Sequence, residues 1–239
     1  MFLWSTSGYS FDARWWLILG ILSPRDLEYI KGRFEKELIK KIPVVLLESD
    51  QCKFCSTVDQ LMNELVSISN GKIEYMTNKL QDIHKELLGV ERGPILLIGE
   101  KAEIRYTGAP IGEEGWAFLE ALLLVSHRRH MFKDYEEKLS SMTNRVKIET
   151  IVTPTCPLCP QAVIMAHNIA VASNGRVISD VVEAYEFPEI ADKYYVTAVP
   201  TVVLSVNGNY NGRVFSVGVP NSKALLRAVI RLGTGEDTS

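Results

Sequence analysis

The sequence predicts an α/β protein of two tandem units, each a central mixed β-sheet flanked by helices. Three observations predict it. The same landmarks occur twice in the same order: a Cys-x-x-Cys, an X-Pro before an apolar run, a Gly-x-Pro and a closing helical pattern. The spacings agree, with 42 residues from Cys52 to Pro94 and 44 from Cys156 to Pro200. The 239 residues suit two small domains of about 100 residues each.

The elements follow from local chemistry. Ser23 is placed to cap a helix, with Pro24 at its first position and Asp26 in its first turn. That helix is expected to reach about Lys40, with Leu27, Ile30, Phe34 and Leu38 on one face. Pro43–Glu48 reads as a buried strand. After Cys52-Lys53-Phe54-Cys55, helical spacing links Val58, Leu61, Met62 and Leu65. A strand at Lys72–Met76, a short helix near Lys79–Leu88 and strands at Ile95–Ile98 and Glu103–Thr107 follow. Gly108-Ala109-Pro110 then leads into a helix, Glu113–Ser126, bearing Trp116, Leu119, Leu122 and Leu123.

The second unit repeats this order. Val146–Val152 is a strand, and Cys156-Pro157-Leu158-Cys159 opens a helix through Ala172. Strands are expected at Arg176–Val182, Thr201–Val206 and Gly212–Val217, and helices at Pro188–Tyr194 and Ser222–Leu232. Because β-α-β precedes two strands and a helix in each unit, a mixed sheet with helices on both faces is expected. The domain boundaries are an N-terminal extension (1–22), a first unit with CKFC (23–128), a connecting helix (129–144, its core Met131–Met142) and a second unit with CPLC (145–239).

Composition narrows the function. Hydrophobic residues make up 46% and charged residues 23%, as in soluble globular chains, and the net charge of −3 lacks the basic excess of a nucleic-acid binder. No run approaches 18 apolar residues, so no spanning helix is expected. The apolar run Trp15–Leu22 lacks the cationic flank and small-residue cleavage site of a signal peptide, and is expected to be an arm packed on the domain. Four cysteines are too few for a secreted disulfide scaffold.

The paired cysteines carry the chemistry. The thiolate is the nucleophile, and a helix N-terminus favours it through unsatisfied N–H groups and the positive end of the dipole. Cys52 and Cys156 are expected to start helices and to attack a substrate disulfide. Cys55 and Cys159, within one turn, would resolve the mixed disulfide. Pro157 suits a first helical position, whereas Lys53 sets a cation beside Cys52. Pro94 and Pro200 each begin an apolar strand. If the bonds before them are cis, Gly93 and Val199 present a backbone edge to which an extended substrate peptide adds as a strand. These four residues are the candidate substrate-binding set.

Different chemistries compete with redox exchange. Two Cys-x-x-Cys pairs can make a four-thiolate zinc site, although 100 residues lie between Cys55 and Cys156 where zinc ribbons leave about 15–20. A redox-silent peptide-binding module and inert core cysteines compete as well. His167 reads as a helix-surface or packing residue, and His127 and His130, flanking Arg128-Arg129, as a solvated helix end. Phe187, Tyr194 and Tyr195 read as core and groove packing. With no P-loop, dinucleotide fingerprint or metalloprotease motif, no cofactor is expected, and reducing equivalents must come from a separate reductase.

The segments VTPTCPLCPQAVIMAHNIA and VVEAYEFPEIADKYYVTAVPTVVL closely resemble the archaeal-type protein disulfide oxidoreductases. These are glutaredoxin-like proteins with two fused thioredoxin folds and a CxxC in each. The resemblance covers about residues 20–232. It implies cytoplasmic thiol–disulfide exchange on disulfide-containing proteins, Cys52 and Cys156 as nucleophiles, Cys55 and Cys159 as resolving thiols, and Pro94 and Pro200 as cis-prolines. It also points to a thioredoxin-reductase-like flavoprotein as partner. A dedicated electron donor to a peroxide-reducing enzyme would use the same chemistry. The sequence departs from the pattern in three ways. CKFC lacks the usual proline or glycine, and Gly93 offers no side chain to a substrate groove. Leu46 and Thr150 stand where a thioredoxin has a buried Asp.

Overall fold

A computed structural model describes residues 20–206 and 212–236. Of the apolar arm expected over Trp15–Leu22, residues 15–19 lie outside the described residues; the Ile21 and Leu22 N–H groups donate to the Glu64 carboxylate at 2.7 and 2.9 Å, and Leu22 packs on the core.

The first unit contains α1 (Pro24–Glu37), β1 (Ile42–Glu48), α2 (Cys55–Ser67), β2 (Ile73–Lys79), α3 (Asp82–Leu88), β3 (Ile95–Ile98), β4 (Ile104–Thr107) and α4 (Glu114–His127). Ser23 caps α1 as expected, its Oγ accepting the Asp26 N–H at 3.2 Å. The helix stops at Glu37, but Leu38 stays buried with Ile30 and Phe34. Trp116 does not join the core. It is 45% exposed, with the Arg33 guanidinium over its ring.

The expected connecting helix is a 3-10 turn, Lys133–Tyr135, followed by the short α5, Glu136–Ser140. Phe132, Leu139 and Met142 turn into the second unit's core. The second unit contains β5 (Val146–Val152), α6 (Cys159–Ala172), β6 (Val177–Glu183), α7 (Pro188–Lys193), β7 (Thr201–Val206), β8 (Arg213–Val217) and α8 (Ser222–Thr234).

The sheets of the two units are fused. All eight strands form one sheet in the order β2-β1-β3-β4-β6-β5-β7-β8. The seam is a parallel pairing of β4 with β6, in which Arg105 stands opposite Asp180 and Tyr106 opposite Val181. One face of the sheet is covered by α1, α2, α4, α6 and α8, over Val44, Leu46, Leu96, Ile148 and Val202. The other carries α3 and α7, over Leu47, Ile95, Ile151, Val182 and Val203. Strand alternation produces this division.

Each face of the seam holds a buried polar bridge between units. On the α3/α7 side, Arg105 pairs with Asp180, which also accepts the Thr107 hydroxyl at 2.9 Å. On the α4/α6 side, His167 joins the Tyr106 hydroxyl at 3.0 Å and the Ser179 hydroxyl at 2.9 Å. His167 is therefore a packing residue wholly inside the molecule, and burial lowers its pKa to about 3.

Strand direction positions the chemistry. β1 is antiparallel to β3, β3 is antiparallel to β4, and β4, β6 and β5 are mutually parallel. β1 and β5 therefore end on the same edge of the sheet, and both Cys-x-x-Cys loops lie there. Four strand spacings of about 4.8 Å place the ends of β1 and β5 about 19 Å apart.

Candidate active site

Each cysteine pair sits between a buried parallel strand and the helix that crosses back over it. The Cys52 N–H donates to the Ser49 carbonyl at 3.2 Å, and the Cys156 N–H donates to the Thr153 carbonyl at 3.1 Å. Both pairs are closed as disulfides, Cys52–Cys55 and Cys156–Cys159, each with Cα atoms 5.5 Å apart.

The helices begin at the second cysteines, Cys55 and Cys159, not at the first. The first cysteines lie one turn earlier, where the preceding loop brings their sulfurs back onto the helix end. Pro157 accordingly belongs to the turn, and Pro160 takes the early helical position. The electrostatic consequence expected of a helix start survives at the second site. There the Cys156 Sγ accepts the Cys159 N–H at 3.1 Å, a bond that favours a charged sulfur. The Lys53 ammonium lies 5.1 Å from the centre of the Phe54 ring, beside the first pair.

The four candidate substrate-binding residues lie on the same edge. The Gly93–Pro94 and Val199–Pro200 bonds are both cis. Gly93 is glycine for a steric reason: a Cβ there would stand 2.5 Å from the Leu47 carbonyl oxygen and 3.4 Å from the Cys55 Sγ. The Gly93 N–H donates to the Ser49 hydroxyl at 3.0 Å. Gly93 is buried, while Val199 is half-buried.

Leu46 and Thr150 are wholly buried and supply no carboxylate. Carboxylates arrive instead from positions not singled out in the sequence. Glu114 opens α4, whose start is pinned to the loop of the second cysteine pair by the Glu113 N–H donating to the Pro154 carbonyl at 2.9 Å. The α4 residues Ala117, Phe118 and Ala121 share a core cluster with Cys156 and Cys159. Among the described residues neither oxygen of the buried Glu114 carboxylate has a hydrogen-bond partner. Burial, then the charge of Glu113, pushes its pKa up to about 8.

At the first pair, Glu183 and Glu186 reach across from the second unit. They join Lys53, Phe54 and Arg92 in lining a cleft of about 390 Å³ that also borders Gly93. Burial raises both carboxyls, and Glu186 faces Glu183, Lys53 and Arg92. A Glu at the start of a strongly apolar helix was the signal available for Glu114. Glu183 and Glu186 gave none, because the contact crosses between units.

The aromatic triplet divides. Phe187 and Tyr194 are buried, but Tyr195 is 89% exposed, with a φ of 52°. A four-thiolate zinc site is not built, since three strands separate the cysteine pairs and tetrahedral zinc needs sulfurs about 2.3 Å from one ion. Among the described residues no helix is long and apolar enough to cross a membrane.

Comparison with known proteins places this geometry. A thioredoxin domain model matches residues 146–230. The chain is similar to a protein disulfide oxidoreductase from Aeropyrum pernix, at 31% identity and a TM-score of 0.77, covering 91% of this chain and 96% of that one. A thioredoxin from Methanocaldococcus jannaschii is 34% identical over 86 residues, 36% of this chain and 94% of its own length. A subunit of alkyl hydroperoxide reductase from Xanthomonas campestris is 28% identical over 162 residues, 66% of this chain and 28% of its own length. The chain spans about a third of the length of that relative and of a similar NADH dehydrogenase from Ferdinandcohnia aciditolerans.

Proposed function

The chain belongs to the protein disulfide oxidoreductases of fused thioredoxin folds, and we propose that Cys52 and Cys156 are its nucleophiles and Cys55 and Cys159 its resolving thiols. The observation that carries this assignment is the placement of both closed pairs at helix N-termini on one edge of one sheet.

In the reducing direction, the Cys156 thiolate attacks one sulfur of a substrate disulfide. The substrate S–S bond breaks, a mixed disulfide forms, and the departing sulfur leaves as a thiolate that takes a proton. The Cys159 thiolate then attacks Cys156, closing the internal disulfide and releasing the second substrate thiol. Two electrons pass from the dithiol to the substrate. The same steps reversed oxidise a substrate dithiol, and the ambient poise sets the direction. Glu114 supports the second site as proton acceptor for Cys159 in its ionised form: it opens the helix pinned to that loop, and with a pKa of about 8 that form grows as pH rises toward 8.

The second pair is the main site for protein substrates. The Cys159 N–H on the Cys156 sulfur and the half-buried Val199 edge support that ranking. A thioredoxin-reductase-like flavoprotein is the proposed source of electrons, in the cytoplasm. Supporting this, relatives named as an NADH dehydrogenase and as a subunit of alkyl hydroperoxide reductase carry a similar segment within a longer chain. The second of those names also favours electron donation to a peroxide-reducing enzyme.

The test is a redox titration of the purified protein, with free thiols trapped and the products weighed. Loss of four thiols in two two-electron steps, between about −300 and −120 mV, is the expected result. Four thiols that stay reduced across that range would overturn the assignment.

A further inference from the structure

The two units offer an internal comparison, because Ser49 and Thr153 each stand three residues before the first cysteine of their pair. The residues that follow the same plan end in different states. The Gly93 N–H is taken by the Ser49 hydroxyl at 3.0 Å. Among the described residues no corresponding bond joins Val199 to Thr153. Gly93 is buried and Val199 half-buried.

A second, independent contact closes the same edge. Arg92, the residue before Gly93, is held to the second unit. Its guanidinium reaches both carboxylate oxygens of Glu189, at 2.8 and 3.1 Å, and lies 4.7 Å from the centre of the Phe187 ring. The second unit thus walls a cleft that borders Gly93 and both neighbours of Cys52, Gln51 and Lys53, with Glu183 and Glu186 on one side and Lys53 and Phe54 on the other. At Val199 the preceding residue, Ala198, is exposed.

Strand addition needs a free backbone edge, because main-chain hydrogen bonds supply its affinity. We propose that Ser49 is a specificity-determining residue: by occupying the Gly93 N–H beside an edge already walled by Arg92, it bars extended polypeptide from the first pair and leaves it to low-molecular-weight disulfides. The cleft of about 390 Å³ is the size of a small-molecule site. The exchange is balanced. The Cys52–Cys55 dithiol gives two electrons and two protons to a small disulfide, yielding two small thiols and the closed Cys52–Cys55 bond. The inference rests on the assignment of both pairs as redox-active.

The test uses the full chain with Cys156→Ser and Cys159→Ser, which leaves one dithiol. Its rate is measured on hydroxyethyl disulfide and on an extended ten-residue peptide carrying a mixed disulfide. Adding Ser49→Ala should raise the peptide-to-small-disulfide rate ratio about fivefold, the worth of one hydrogen bond. Ser49→Thr, which keeps the hydroxyl, should not. An unchanged ratio in Ser49→Ala would overturn the proposal.

A second measurement needs no variant at Ser49. In the oxidised native chain, saturation with an extended peptide lacking cysteine should slow hydrogen exchange at the Val199 amide and leave Gly93 unaffected. Protection of both amides would also overturn it. A first dithiol that exchanges with neither probe defeats the redox assignment itself, and this inference with it. Exchange with both probes at comparable rates defeats the inference alone.

Discussion

Arg105 and Asp180 stand directly opposite each other in the parallel pairing of β4 with β6, and their buried ion pair crosses the boundary between the two repeats. The Thr107 hydroxyl completes the set on that face, and Tyr106, His167 and Ser179 form its counterpart on the other. Apolar pairing alone would leave the register of β4 against β6 free to slip. A buried charge that finds its partner in one register specifies the seam.

Removing one partner therefore leaves the other charged and buried. Asp180→Asn is expected to destabilise the protein by about 3–5 kcal/mol. The double variant Arg105→Met with Asp180→Leu should recover most of that loss. Urea unfolding of the oxidised proteins checks both. A loss below about 1 kcal/mol in Asp180→Asn would show that the pair does not hold the seam.

The two sites should respond unequally to loss of their nucleophiles. Cys156→Ser is expected to abolish most insulin-disulfide reduction, and Cys52→Ser to spare most of it. The turbidity assay at fixed reductant reads the ratio. A larger loss in Cys52→Ser would reverse the ranking of the pairs.

Glu114 predicts a pH signature. Its carboxyl keeps its proton in the folded chain up to about pH 8 but ionises near pH 4.5 when unfolded. The folded state thus binds more protons between those values, and stability falls as pH rises through that window. Glu114→Gln should flatten that slope. It should also slow turnover at Cys156–Cys159 by about ten- to a hundredfold, with the limb of the pH–rate profile that rises toward about pH 8 lost. Wild-type turnover in Glu114→Gln would remove it from proton transfer.

His167 acts in the opposite sense. Its pKa near 3 in the fold lies below the ordinary value of 6.5, so the unfolded chain takes up the proton first. Stability contributed by neutral His167 is whole above about pH 6.5 and is lost as pH falls toward 3. In Glu114→Gln, where the largest opposing slope is gone and those of Glu183 and Glu186 remain, unfolding free energies at about pH 4, 5 and 6 should rise more with pH than in the native chain. Replacing His167 with Gln in that background should reduce the rise.

Gly93→Ala places a methyl group against the Leu47 carbonyl and beside Cys55. Backbone must move to admit it. A destabilisation of about 1–3 kcal/mol is expected, with exchange at Cys52 impaired more than at Cys156. Selective labelling of each reduced pair by mass spectrometry separates the two effects.

The repeat, the strand and helix order, both dithiols and the X-Pro landmarks are legible along the chain because they are local or periodic features. Spacing of Leu61, Met62 and Leu65 shows a helix face, and Cys-x-x-Cys after a strand implies a loop at a helix end, whatever the rest of the chain does. Features that depend on partners distant in the chain emerge with the three-dimensional packing. Parallel pairing of β4 with β6 fused two sheets into one, carried both dithiols to a single edge and made His167 a buried link. It also set the start of α4, with Glu114, against the loop of Cys156, and Glu186 and Arg92 in one cleft with Lys53 and Phe54. Nothing in the pattern near residue 114 or residue 186 names those neighbours. Ser49 and Thr153 look equivalent in sequence, yet a hydroxyl on one backbone N–H separates them. That difference comes from how closely the chain is packed at Gly93, which spacing does not encode.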